Sequence, residues 1–74
     1  MTNLLERLKP ELKAQLEVDQ VLYPNYTEII RGELAGQSWV NHIPYFLVID
    51  LERMFSNVHG RKPKNLWECF EDSE

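Results

Sequence analysis

The chain has 74 residues and a formal net charge of −4, with 43% hydrophobic residues, 27% charged residues, three glycines and four prolines. So short a chain forms one domain that hides only a little over ~60% of the surface its unfolded form exposes, yet it is too hydrophobic to stay disordered. Its negative balance repels nucleic acid at long range unless basic residues gather locally, and the lone Cys69 excludes an internal disulfide and points to a reducing compartment.

Leu4, Leu5, Leu8, Leu12 and Leu16 fall within about a third of the helix circumference at the helical period, so the first segment is expected to be an amphipathic helix. Asn3 and Glu6 make an acceptable capping pair. Pro10 stands inside the pattern, where it removes a backbone donor and clashes with the preceding turn. The helix is therefore kinked there or restarted with Pro10 at its first position, and the unbroken leucine phase favours two nearly collinear pieces. This charged pattern lacks the short apolar core of a signal peptide, and no apolar run nears the roughly 18 residues of a membrane helix. A cytoplasmic location is expected.

Val21, Leu22 and Tyr23 lead into Pro24 as a short extended connection. Asn25 and Glu28 have capping-box spacing for a second helix, whose stripe of Tyr26, Ile29, Ile30 and Leu34 ends near Gly36, a natural left-handed terminator. A strand hairpin across Thr27 to Val40 fits the apolar spacing less well. Ser38 can cap a short turn containing Trp39, Val40 and Ile43, and Pro44 starts a third long helix that ends by Gly60. Pro63, Asn65 and Glu68 then announce a last short helix with Leu66 and Phe70 inward and Trp67 beside them. The predicted fold is all-α, a small bundle of three main helices plus a short C-terminal one, in a single domain over residues 1–74.

The segment IPYFLVIDLERMF, Ile43 to Phe55, carries more apolar surface than one helix face needs. Leu47, Val48, Leu51, Met54 and Phe55 cover roughly 120°, which suffices for a core stripe. Tyr45, Phe46 and Ile49 lie outside it. Either the first and last helices cover them or another chain does, and fully burying all three is worth on the order of ~5 kcal/mol. Trp39 and Trp67 are, like Tyr45 and Phe46, of a type enriched in interface hot spots. Arg53, His59, Arg61, Lys62 and Lys64 gather within twelve residues, whereas Glu68, Glu71, Asp72 and Glu74 crowd the end of the chain. A two-sided charge distribution is one reading, and a solvated linker followed by a solvated helix end is the plainer one.

No motif for chemistry accompanies these features. His42 and His59 are seventeen residues apart with only Cys69 as a further soft ligand, which is no zinc spacing. Cys69 lies between Glu68 and Glu71, whose charges oppose a reactive thiolate. Asp50 and Glu52 diverge on the wheel, and the scattered glycines form no phosphate loop. Neither catalysis, nor a cofactor, nor a metal, nor a small-molecule substrate is expected.

The stretch from Thr27 to Phe55 resembles the helix-turn-helix of phage repressor and Cro-like proteins: TEIIRGEL with small Gly32 would be the first helix, Gly36 the turn and QSWVNHI the recognition helix. The resemblance covers under half of the chain. It implies DNA binding with Gln37, Ser38 and Asn41 facing bases while Arg31 and the Arg61 to Lys64 loop hold phosphates. QSWVNHI departs from that pattern by its shortness, by the Pro44 that follows and by containing neither Lys nor Arg. The favoured expectation is a small regulatory protein, such as an inhibitor or modulator of phage type, that binds a protein partner or a second copy by contact. Its partner-binding residues would be Tyr45, Phe46 and Ile49 on the third helix, Trp39 and Trp67 at the margin, and Arg53, Arg61, Lys62 and Lys64 steering an acidic partner.

Overall fold

The computed structural model describes residues 2–71, apart from the Asn41 side chain. The fold is all-α. Its helices are α1 (Leu4–Arg7), α2 (Pro10–Leu22), α3 (Pro24–Ala35) and α4 (Tyr45–His59), with 3-10 turns at Val40–His42 and Leu66–Cys69. Among the described residues there is no strand, only an isolated antiparallel bridge between Leu8 and Phe70.

Asn3 caps α1 by accepting the Glu6 N–H at 2.9 Å. Pro10 restarts the helix as the first residue of α2, and two extended residues, Leu8 and Lys9, separate the pieces. The leucine phase survives this break because the extended residues pair with the end of the chain. Lys9 N–H donates to the Cys69 carbonyl at 3.1 Å, and Glu71 N–H donates to the Arg7 carbonyl at 2.7 Å. Leu4, Leu8, Leu12 and Leu16 are all buried.

The link between α2 and α3 is shorter than the predicted extended connection, because Val21 and Leu22 finish α2 and only Tyr23 lies between the helices. Pro24, not Asn25, opens α3, and no side chain caps it; a proline at the first position has no N–H to satisfy. Its inner stripe is Thr27, Ile30 and Leu34, whereas Tyr26 and Ile29 stay exposed. Each stands one position, about 100°, before a stripe residue. Gly36 is right-handed, with φ −90°, because its N–H closes a tight last turn onto the Gly32 and Glu33 carbonyls. Gly60 is the left-handed terminator, with φ 74°.

Ser38 caps nothing: Trp39 precedes the Val40–His42 turn without a side-chain cap. Pro44 does not start α4 as its first residue but precedes it as an extended N-cap, with ψ 157°, and the helix begins at Tyr45. Leu47, Leu51, Met54 and Phe55 enter the core, which they share with the α1 and α2 leucines, Ile30, Leu34, Cys69 and Phe70. Val48, at the margin of that stripe, is half-buried. Asn65 caps the last turn by accepting the Trp67 N–H at 2.9 Å, and Phe70 is buried against the core.

Candidate functional site

Tyr45, Phe46 and Ile49 remain 76%, 38% and 45% exposed, so the first and last helical segments do not cover the outer face of α4. Phe46, Ile49 and Arg53 follow one another at i, i+3 and i+7 and therefore form a single stripe. Each precedes by one position a buried residue of the inner stripe, Leu47, Asp50 and Met54.

Arg53 sits in a cluster that spacing did not foretell. Its Nη2 donates to Asp19 Oδ2 at 2.6 Å and to Asp50 Oδ1 at 2.8 Å, while its Nε donates to the same Asp50 oxygen at 3.2 Å. Gln15 donates to the other Asp19 oxygen at 3.2 Å. Asp19 and Asp50 are both buried, and Asp50 Oδ2 has no partner. Two buried carboxylates thus face one guanidinium whose side chain is 40% exposed. Partial burial works against the guanidinium's charge, yet its hydrogen bonds to Asp19 and Asp50 raise the Arg53 pKa above its ordinary value. The charge is therefore permanent.

Tyr23, Tyr26 and Arg53 line an open cleft of about 280 Å³ with mostly apolar walls. Burial, followed by the nearby Asp50 charge, pushes the Tyr26 phenol above its ordinary pKa, so this ring presents a neutral hydroxyl beside a fixed carboxylate. Of the sequence-predicted residues Arg53 lines this cleft, and Phe46 and Ile49 precede it along the same stripe of α4. Tyr23, Tyr26, Asp19 and Asp50 were missed: the tyrosines were read as connection and core, and the link from Asp19 to Arg53 joins residues 34 apart. The i,i+3 spacing of Asp50 and Arg53 was the one available signal.

The remaining predicted residues have other occupations. Trp39 and Trp67 pack edge to face with centroids 6.2 Å apart, Trp67 repeats this with Phe70, and the Arg7 guanidinium lies 4.9 Å over Trp67. That aromatic group fastens α1, the loop before α4 and the end of the chain together. Arg61 donates to Glu68 at 3.1 Å and lies 5.0 Å over Phe55, and Glu68 also accepts the Lys64 N–H. One member of the basic group, Arg61, thus pairs with one of the acidic group, Glu68, while Lys62 and Lys64 present exposed side chains. Asp72 and Glu74 lie outside the described residues. His59 is 3.4 Å from Glu11.

Of the residues set out for DNA, Arg31 is exposed, Gln37 and Ser38 are half-buried, and the Asn41 side chain lies outside the described residues. The Gln37 carbonyl accepts the Leu4 N–H at 2.8 Å. The expected recognition helix is a three-residue 3-10 turn, since Pro44 stops its extension, and a Cβ on Gly32 would meet nothing within 4 Å. Gly32 is therefore at no close helix approach. Cys69 is buried, and that burial pushes its thiol up to about 12. Among the described residues no group of three or more His, Cys, Asp or Glu side chains is placed to hold a metal ion, and no helix is long and apolar enough to cross a membrane. Comparison with protein-family models, curated proteins and solved structures finds no match for this chain.

Proposed function

We propose that this chain is a small regulatory module that binds another protein by contact, through the outer face of α4 and the adjoining Tyr23–Tyr26–Arg53 cleft. The observation that carries the reading is the exposure of Tyr45, Phe46 and Ile49 on one helix. Large apolar side chains grouped beside a fixed charge are what a protein interface uses, with the apolar residues giving affinity and the charge giving register. Its buried single thiol suits a reducing, cytoplasmic setting.

The experiment places a photo-crosslinking residue at position 49 in the native host, with a second at exposed Arg31 as control. A discrete adduct formed from position 49, absent from position 31 and lost on Phe46→Asp, is the expected result. Phe46 is 38% exposed, so the substituted chain keeps its helical circular dichroism. An adduct that persists undiminished in Phe46→Asp, or a Phe46→Asp chain that is unfolded, overturns the assignment of this face.

A further inference from the structure

Tyr45 is the most open of the three tyrosines, 76% exposed against 58% for Tyr23 and 43% for Tyr26, and it stands on the same side of α4 as Ile49 and Arg53. These three residues follow at i, i+4 and i+8, which keeps them within about 80° of one another around the helix. They are also evenly spaced along it, so Tyr45 and Arg53 lie about 6 Å to either side of Ile49. A two-fold axis through Ile49 and across the helix therefore turns Tyr45 of one chain onto Arg53 of a second, Arg53 onto Tyr45, and Ile49 onto Ile49. Such mutual exchange is what a closed two-fold interface requires.

The cleft at Arg53 has the chemistry to receive that tyrosine. Its walls are Tyr23, Tyr26 and the Arg53 side chain, and they are mostly apolar. The bonds to Asp19 and Asp50 occupy Nε and Nη2, so the Nη1 hydrogens have no acceptor among the described residues. A basic side chain entering here meets the Arg53 cation, and an acidic one becomes the third carboxylate on a guanidinium that already holds two. A phenylalanine ring strips water from Nη1 and gives it no acceptor. A tyrosine is uncharged, packs its ring against Tyr23 and Tyr26, and offers an oxygen that accepts from Nη1. The cleft of about 280 Å³ has room for such a ring, since a cavity of ~150 Å³ holds benzene.

The pairing also meets the demands of charge and area. The exposed middle of the stripe, Tyr45, Phe46 and Ile49, carries no charge. The two copies of Arg53 start about 12 Å apart along the paired helices, where salt screens most of their repulsion, and each is bonded to its own two carboxylates. Tyr23, Tyr26, Tyr45, Phe46 and Ile49 leave on the order of 500 Å² open per chain at their observed exposures, taking ~200 Å² for a fully open aromatic side chain. A standard interface buries ~800 Å² per partner, so these five side chains supply more than half of it.

Resting on the reading of this chain as a protein-binding module, we infer that the protein bound at this face is a second copy of the chain. The two copies pack antiparallel on α4 about a two-fold axis at Ile49, and Tyr45 of each is seated in the Tyr23–Tyr26–Arg53 cleft of the other.

Sedimentation of the full chain and disulfide trapping test this together. The chain is expected to dimerise as its concentration rises. Tyr45→Ala, which keeps its helical circular dichroism because the side chain is 76% exposed, is expected to dimerise about tenfold or more weakly, and Tyr45→Phe to fall between the two. Under mild oxidation Ile49→Cys closes a disulfide with its own copy, because position 49 lies on the axis; the parent chain, whose Cys69 is buried, does not. Asn57→Cys stays unlinked: eight residues from the axis, its two copies are about 24 Å apart along the helices, beyond the roughly 4.4–6.8 Å between the Cα atoms of a disulfide. A chain that remains monomeric at about 1 mM overturns the inference, as does a dimer indifferent to Tyr45→Ala, or Asn57→Cys linking as fast as Ile49→Cys. The position-49 photo-adduct separates this from the underlying reading. An adduct of twice the chain mass supports the second copy; one that contains a different protein and still depends on Phe46 refutes the second copy alone; one that ignores Phe46 refutes the face itself.

Discussion

Asp19 and Asp50 are buried against Arg53, which bonds to both, while Gln15 supplies a further donor to Asp19. Arg53→Ala leaves two buried carboxylates without a cation, and such a loss costs several kcal/mol in a fully buried pair. Because the Arg53 side chain is 40% exposed, solvent screening reduces this to on the order of 2 kcal/mol. Chemical denaturation is expected to show that drop, with Asp19→Asn relieving part of it in the double variant. Cys69 makes the opposite kind of prediction. A thiol held at about 12 by burial is protonated at neutral pH, so alkylation of the folded protein is expected to be slow, limited by the fraction of open molecules, and to accelerate sharply in denaturant. Rapid modification of native Cys69 would refute its burial. Burial is the largest cause of the raised thiol, and of the two flanking acids invoked from the sequence only Glu68 adds to it.

The terminators of α3 and α4 separate two uses of glycine. Gly60 holds φ 74°, a conformation that costs other residues about 1–2 kcal/mol, so Gly60→Ala is expected to lower the melting temperature. Gly32 lies inside α3 with open space where a Cβ would go. Gly32→Ala is expected to stabilise by about 0.5–1 kcal/mol. A thermal melt of the two variants checks both signs. The linker after α4 answers to pH through Glu68, whose carboxyl is held below its ordinary value first by the Lys64 backbone N–H and then by Arg61. A depressed folded value means that this contribution is fully present above the ordinary carboxyl range and disappears as pH falls through the depressed value. Protection of the Lys64 amide from hydrogen exchange should follow that course in the parent chain and be lost at every pH in Glu68→Gln. These elements were only partly legible. The apolar periods of α2 and α4 announced them because nearest neighbours along a helix share a face, while capping at Asn25 and Ser38 looked sound and failed. Pro24 and the tight Gly36 turn had already satisfied the backbone.

At the level of the whole molecule, the chain closes on itself through residues 69–71, which pair their backbone with Arg7 to Lys9 and bury Phe70 among the leucines. A chain truncated after Asn65 loses Cys69 and Phe70 from the core and leaves Leu8 uncovered. In a domain of this size total stability is on the order of 4–11 kcal/mol, and Phe70 alone accounts for about 1.5–3 kcal/mol, to which the loss of Cys69 and of the cover over Leu8 adds. Cooperative unfolding is therefore expected to be lost or displaced to much lower denaturant, which a urea titration would reveal. Periodicity alone determined the helical class, the buried faces of α2 and α4, and the surplus apolar residues Tyr45, Phe46 and Ile49, because each follows from spacing within one segment. Only the tertiary structure decided that Trp39 and Trp67 pack edge to face, that Arg61 pairs with Glu68, and that Asp19 and Asp50 meet at Arg53, which lines a cleft with Tyr23 and Tyr26. Those contacts join residues remote along the chain, and their formation depends on how the helices cross, a property that no single segment encodes.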